Sequence, residues 1–129
     1  MGLLLIVAGC LWRSYATIAA VHVDVLAQTA DKLCTMVTAS RELSAQGMAE
    51  YVYPAQRART FLHQYSTYHE HPSYQRLSAL VDRYEALVTS VDRARAQGAE
   101  QQTDAPQMTS TCAAVAELAS QVREQLRRE

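Results

Sequence analysis

Residues 3–12 read Leu-Leu-Leu-Ile-Val-Ala-Gly-Cys-Leu-Trp, ten consecutive positions without a charge. Arg13 interrupts this run, and the sequence is again largely apolar from Tyr15 to Val23. Taken to Val23, the stretch has about the 20 residues that a helix needs to cross a hydrocarbon core of about 30 Å. It therefore predicts a single N-terminal membrane-spanning helix within residues 1–25, although an arginine there costs about 2.5–3.5 kcal/mol.

The same residues have three other interpretations. Val7-Ala8-Gly9-Cys10 has the form of a lipobox, in which Cys10 would be cleaved and lipidated, but no basic residue precedes the run, as a signal peptide requires. Trp12 and Tyr15 suit a membrane interface, so residues 1–12 alone could enter the bilayer. Such a span is too short to cross by itself and would fit a start codon that has been assigned too late. The segment could also be a buried core helix.

Beyond Val25 the polarity rises, and we expect an amphipathic helix to about residue 52. Apolar residues recur at three- and four-residue spacing on one face: Leu26, Ala30, Leu33 and Val37. This is the pattern of a half-buried helix, and Ser40 and Ser44 continue the face. Pro54 lacks a backbone N–H and disfavours helical geometry at the residue before it, so we expect the helix to end or to bend sharply there.

The sequence thus predicts an all-α fold, a long N-terminal (membrane-anchor) helix continuing into an antiparallel bundle of about four helices. We assign residues 26–129 to the bundle, with helices at about 26–52, 55–68, 72–96 and 108–127. The third has the clearest helical period, at Leu77, Leu80, Val81, Tyr84, Leu87, Val88 and Val91. A polar linker at 97–107, with Gly98 as a candidate C-cap, precedes the last helix.

The composition supports a helical protein and excludes a nucleic-acid-binding surface. The 129 residues include only 4 glycines and 3 prolines, and the net charge is −1, without the clustered basic face that nucleic acids require. Cys10, Cys34 and Cys112 have no zinc-site spacing. We expect Cys34 and Cys112 to be small buried side chains, or a disulfide if the domain is exported.

Two stretches resemble the LemA family of membrane proteins. Residues 31–37, Asp-Lys-Leu-Cys-Thr-Met-Val, are similar to the family's D-L-I-P-N-L-V, with identity at Asp31 and Val37. A second stretch, from Tyr65 to Arg95, matches a family segment at five positions: Tyr65, Tyr74, Leu77, Val81 and Glu85. The resemblance implies a membrane-anchored helical bundle without a catalytic site.

Three histidines near one helix corner are the candidate metal ligands. His69 and His71 flank Glu70, and His63 lies about a turn and a half earlier on the preceding helix. Such a set could hold Zn²⁺ or Cu²⁺, but a solvated corner with histidines at helix ends is the simpler interpretation, so we predict no metal and no cofactor. His22 is a candidate haem or chlorophyll ligand, or a side chain that packs against a neighbouring helix or faces a lipid headgroup.

Tyrosines are the candidate residues for binding a partner. Tyr65 and Tyr84 fall on core faces, where their rings would pack and their hydroxyls would lie at the rim. The other candidates could gather near the two helix corners and form a partner surface: Tyr51, Tyr53, Tyr68 and Tyr74.

No catalytic motif has recognisable context in this chain, so we predict a non-enzymatic protein. The leading prediction is a membrane-anchored accessory, scaffold or interaction protein with a protein partner or a homo-oligomeric state. The alternative is an extracytoplasmic lipoprotein or sensor that binds a small ligand or metal near His69–His71. Lys32 and Arg41 follow the anchor and favour a cytoplasmic bundle, whereas the lipobox places the bundle outside.

Overall fold

A computed structural model shows a bundle of four α-helices. It describes residues 2–38, 44–97 and 105–129, and within them the side chains of 10–37, 44–97 and 108–129. The helices are α1 Gly2–Thr38, α2 Ala45–Gln64, α3 Pro72–Gln97 and α4 Ala105–Arg128, with a short 3-10 helix at Ser66–Tyr68. The predicted all-α bundle is therefore confirmed, while Gly98 and most of the predicted linker lie outside the described residues.

Successive helices run in opposite directions. The start of α2 meets the end of α1, where the Tyr51 hydroxyl donates to Sδ of Met36 at 3.0 Å. The start of α3 returns to the other end, where the Ser73 hydroxyl lies 3.0 Å from the Tyr15 hydroxyl of α1. α4 begins beside the end of α1 and finishes beside the start of α3, so the topology is up-down-up-down.

One hydrophobic cluster fills the bundle, and all four helices contribute to it. The seven apolar positions predicted on α3 are all buried, which confirms that periodicity: Leu77, Leu80, Val81, Tyr84, Leu87, Val88 and Val91. The predicted α1 face is buried at Leu26, Ala30 and Leu33, while Ser40 lies outside the described residues. Small core residues such as Ala19 and Ala119 let α1 and α4 approach closely.

The core extends further toward the N-terminus than expected, because Tyr15, Ala19 and Val23 are completely buried in it. The predicted boundary at residue 25 is therefore wrong: part of the segment assigned to a membrane packs against α2, α3 and α4 instead. Among the residues that the structure describes, none of the helices combines the length and the apolar character needed to cross a membrane.

The predicted helix over 26–52 is also wrong, because α1 ends at Thr38 and a second helix begins at Ala45. Ser44 is the N-cap of α2, and its hydroxyl accepts a hydrogen bond from the Gly47 N–H at 2.9 Å. The start of a helix has N–H groups without intrahelical acceptors, and a serine at this position satisfies one of them. Ser44 therefore starts α2 instead of continuing the face of α1.

Pro54 lies inside α2 instead of ending a helix. Proline cannot donate to the carbonyl four residues earlier and disturbs that turn. In the same turn, the Tyr51 carbonyl accepts a hydrogen bond of 2.6 Å from the hydroxyl of Tyr84 on α3. This bond lies one residue beyond the Glu50 carbonyl, which Pro54 leaves without its backbone donor, and α2 continues to Gln64.

A disulfide between Cys34 and Cys112 joins the end of α1 to α4, with their Cα atoms 6.3 Å apart. Cys10, in contrast, is a free and exposed thiol. Of the two alternatives for Cys34 and Cys112, small buried thiols or a covalent pair, the structure has the covalent pair.

Candidate functional site

Aromatic side chains converge at the end of the bundle where α1 first enters it. The Trp12 ring lies 4.9 Å from the His71 ring and 5.5 Å from the Tyr68 ring, between centroids. Tyr15, the next aromatic residue of α1, stacks on Tyr68 at 4.7 Å and lies 5.8 Å from Phe61 of α2. We call Trp12, Tyr15, Phe61, Tyr65, Tyr68 and His71 the aromatic end. It ties α1 to the α2–α3 corner.

A buried polar network supports the aromatic end. Tyr15 and Ser73, both fully buried, share a hydrogen bond of 3.0 Å, and the Ser73 N–H donates to Oε1 of Glu129 at 3.2 Å. Burial raises the pKa of Tyr15 to about 12, although its hydrogen bond to Ser73 opposes this. The phenol therefore stays protonated at neutral pH, so its role is to position the helices.

The three candidate metal ligands do not converge on a common point. His63 is exposed on α2, the Nδ1 of His69 donates to the Ser66 carbonyl at 2.9 Å, and the His71 ring packs on Trp12. Within the described ranges, no group of three or more His, Cys, Asp or Glu side chains is placed to hold a metal ion. Both His63 and His69 are exposed at this corner.

His22 packs against a neighbouring helix, which is one of its three predicted environments. Its ring centroid lies 4.9 Å from that of Phe61. Burial lowers the pKa of His22 below its ordinary value of 6.5, and the positive charge of Arg57 lowers it further. A neutral imidazole at this point joins α1 to α2 without a buried charge.

The four tyrosines proposed as a partner surface lie in different environments. Tyr51 is buried in the core, and Tyr74 donates from its hydroxyl to the Leu62 carbonyl at 2.6 Å. Tyr68 belongs to the aromatic end, half-buried. Tyr53 alone is largely exposed, at 59 %, with the Arg57 guanidinium 5.7 Å from its ring centre. The structure therefore brings Tyr68 and Tyr74 to one corner and keeps Tyr51 and Tyr53 apart from it.

The aromatic end is also where α1 leaves the other helices. The last residues of α2, the first of α3 and the last of α4 all lie at this level, as the contacts of Tyr68, Ser73 and Glu129 show. α1 nevertheless begins at Gly2. The ten residues before Trp12 thus extend α1 by about 15 Å at 1.5 Å per residue, and exposed Cys10, the candidate lipidation site, belongs to this extension.

Sequence reasoning missed Ser73 and the convergence of the aromatic end. Ser73 is the only fully buried polar residue among the described side chains, but serine after proline at a helix start has an ordinary local explanation. The aromatic spacing does give a signal, since Tyr65 and Tyr68 lie three residues apart, but their partners on α1 are about 50 residues away in sequence.

No protein-family model, no curated protein and no solved structure matches this chain. The resemblance to the LemA family therefore stays a prediction.

Proposed function

We propose that this protein is a non-enzymatic helical bundle that is attached to a membrane by the N-terminal extension of α1 and acts by binding protein. The observation that carries this proposal is the extension itself. The ten residues before Trp12 include no charged residue, and they continue α1 beyond the level at which the other helices end. Trp12 stands at the junction, and tryptophan is enriched where a protein enters a bilayer.

This form of attachment differs from a membrane span at 1–25. Because Tyr15 and the buried residues after it belong to the core, only the residues before them are free to enter the apolar phase. This is the shorter of the two registers compatible with the sequence. Cleavage and lipidation at Cys10 would be equally compatible with the fold, since the first buried side chain of the described part of α1 comes five residues later.

The disulfide supports a location of the bundle on the outer side of the membrane. Disulfides persist in oxidising compartments and are rare where glutathione and thioredoxin keep thiols reduced. The Cys34–Cys112 bond therefore favours export over the cytoplasmic orientation that Lys32 suggests.

The polar groups of the bundle support a binding role more than a catalytic one. Every buried side-chain nitrogen or oxygen in the described part of the chain has a hydrogen-bond partner. A sensor with a ligand at His69–His71 has less support, because Nδ1 of His69 already donates to a carbonyl and the ring of His71 packs on Trp12.

The first experiment is the intact mass of the protein extracted by detergent from washed membranes. The full-chain mass, with or without the initiator methionine, would identify an uncleaved helix. A chain beginning at Cys10 with added lipid would identify a lipoprotein, the second form of the same attachment. Absence of the protein from washed membranes would refute the proposal.

A truncation tests whether the extension is the attachment. We expect the chain without residues 2–9 to leave the membrane fraction and to keep its thermal midpoint, because every buried side chain that the structure describes is retained. The matched control is the full chain with Trp12→Phe, which keeps the extension and should stay in the membrane. Retention of the truncated chain would place the attachment elsewhere.

A further inference from the structure

One face of α1 is apolar and is not covered by the bundle. Four large apolar side chains each expose between 38 % and 54 % of their surface: Leu11, Ile18, Val21 and Val25. We call these four the α1 stripe. Its exposed neighbours on the same face are uncharged: Cys10, Ser14, Thr17 and Gln28. The exposed charges of this part of α1, Arg13 and Asp24, lie on another side, where Asp24 pairs with Arg123 of α4 at 2.9 Å.

The spacing of the α1 stripe is that of a coiled-coil seam. Its first, second and fourth members are seven residues apart, and the third follows the second by three. These are the a and d positions of a heptad repeat, through which one helix packs on another. By sequence, Leu4 stands one heptad before the stripe. Lys32, one heptad after it, forms an ion pair with Glu50 of α2 at 3.8 Å, so the seam ends there.

We propose that two copies of this chain associate in parallel through the α1 stripe. Leu11, Ile18 and Val25 are the a positions of this seam, and the packing of such positions against a second helix is what a heptad repeat provides. The parallel direction rests on the proposed membrane attachment, because both N-terminal extensions then enter the same bilayer. Ser14 and Val21 occupy the d positions between them.

The charges beside the α1 stripe are complementary in this arrangement. Asp24 flanks the stripe on the side of α4. Arg57 of α2 flanks it on the opposite side, close enough to His22 to interact electrostatically. A two-fold axis parallel to α1 brings Arg57 of one copy to the Asp24 flank of the other, because the heights of His22 and Asp24 differ by only about 3 Å. Opposite charges at such flanks fix the orientation of two partners.

The shape of the α1 stripe fits a second helix better than a lipid surface. A helix that lies on a bilayer has a broad apolar face and a polar face rich in lysine and arginine, whereas this stripe is narrow, includes Ser14 and is bordered by Thr17. From Leu11 to Val25 the seam measures about 21 Å at 1.5 Å per residue.

Cysteine crosslinking of the purified full chain in detergent tests the seam. Cys10→Ser removes the free thiol, so that a single introduced cysteine is the only one outside the native disulfide. Under mild copper oxidation, most of the Ser14→Cys protein, with its new cysteine at a d position, should become a covalent dimer. Arg13 is adjacent and also exposed, but it lies off the seam. The Arg13→Cys protein should therefore form at least fivefold less covalent dimer. Equal crosslinking of the two variants, or none in either, would overturn the proposal.

Sedimentation equilibrium in the same detergent measures the seam without a crosslink. Val21→Lys should weaken the dimer at least tenfold, while Val52→Lys, an exposed valine on α2, should leave it unchanged. Both variants should keep the helical content of the parent, because neither valine is buried. An unchanged dimer in Val21→Lys would overturn the proposal.

Membrane retention of the unsubstituted chain is measured separately, so the two proposals fail independently. If the chain forms the crosslinked dimer but is absent from washed membranes, the proposed attachment is refuted and the proposed seam stands. If the chain is retained in the membrane as a monomer, only the proposed seam is refuted.

Discussion

The Cys34–Cys112 disulfide gives the sharpest quantitative prediction for the stability of the bundle. It joins residues 78 positions apart and therefore closes a loop that contains α2 and α3. In the chain-entropy description, a crosslink of this span lowers the entropy of the unfolded chain enough to stabilise the fold by about 4.5 kcal/mol. Domains of this size have a total stability of about 5–15 kcal/mol, so the bond is a large part of it.

The perturbation is the double substitution Cys34→Ala/Cys112→Ala, which removes the bond and leaves small apolar side chains in two half-buried positions. With an unfolding entropy of about 2.1 cal/mol/K per residue, 4.5 kcal/mol corresponds to a fall of about 15 °C in the melting temperature. The urea m-value should rise, because the unfolded chain without the crosslink exposes more surface.

Thermal and urea unfolding followed by far-ultraviolet circular dichroism measure both quantities. Cys10→Ala is the matched control, since this thiol is exposed and unpaired, and it should leave the midpoint unchanged. Alkylation of the unfolded, unreduced parent should modify one cysteine of the three, Cys10. A loss of less than about 1 kcal/mol in the double variant, with the parent disulfide intact, would refute the loop-entropy argument.

Three smaller predictions concern single contacts. Tyr15→Phe leaves the buried Ser73 hydroxyl without its partner and should lower the free energy of unfolding by about 1–2 kcal/mol; adding Ser73→Ala should recover part of this loss in urea titrations. The pKa of His22 is lowered in the folded state, so the unfolded state binds more protons just below pH 6.5, and the urea midpoint should fall as the pH drops through this window. His22→Gln should remove that fall, whereas His63→Gln, on the surface, should not. Arg59 forms ion pairs with Asp82 and Glu85 at largely exposed positions, so Arg59→Gln should cost less than about 1 kcal/mol and still less in high salt.

Local periodicity was enough to predict the helical bundle and most of its core. The apolar stripe of α3 is buried at every predicted position, because a repeat of 3.6 residues has only one regular explanation in a chain of this composition. Val115 and Val122, seven residues apart on α4, are buried as well. Helix existence and face are thus local properties in this protein.

The errors have different origins: a proline accommodated inside a helix, a local helix cap and a contact far away in sequence. Pro54 is accommodated inside α2 where Tyr84, 30 positions later, donates to the Tyr51 carbonyl. Ser44 fits the spacing of the α1 face, and only the chain direction after it makes it a cap. The ring of Tyr15 could lie in a bilayer or in a protein core. Its hydrogen bond to Ser73, 58 residues away in sequence, holds it in the core.

The candidate site was less predictable than the fold for the same reason. The sequence indicated the corner around His69–His71 and its tyrosines, but not that Trp12 and Tyr15 of α1 would pack there. The three-residue spacings of Trp12 and Tyr15 and of Tyr65 and Tyr68 are local signals, but the convergence of the two pairs depends on how three helices end together.

The continuity of α1 has a mechanical consequence. A single helix serves both as the N-terminal extension and as a wall of the bundle, with no hinge between them from Gly2 to Thr38. If the extension is held in a bilayer, the helix becomes a lever arm, and a tilt of its base displaces the far end by an amount proportional to its length. The level of Cys34 lies 19 residues beyond Tyr15, about 28 Å further along the axis. A tilt of about 20° at the base would thus carry that end sideways by about 10 Å, which sets how far a partner attached there must follow.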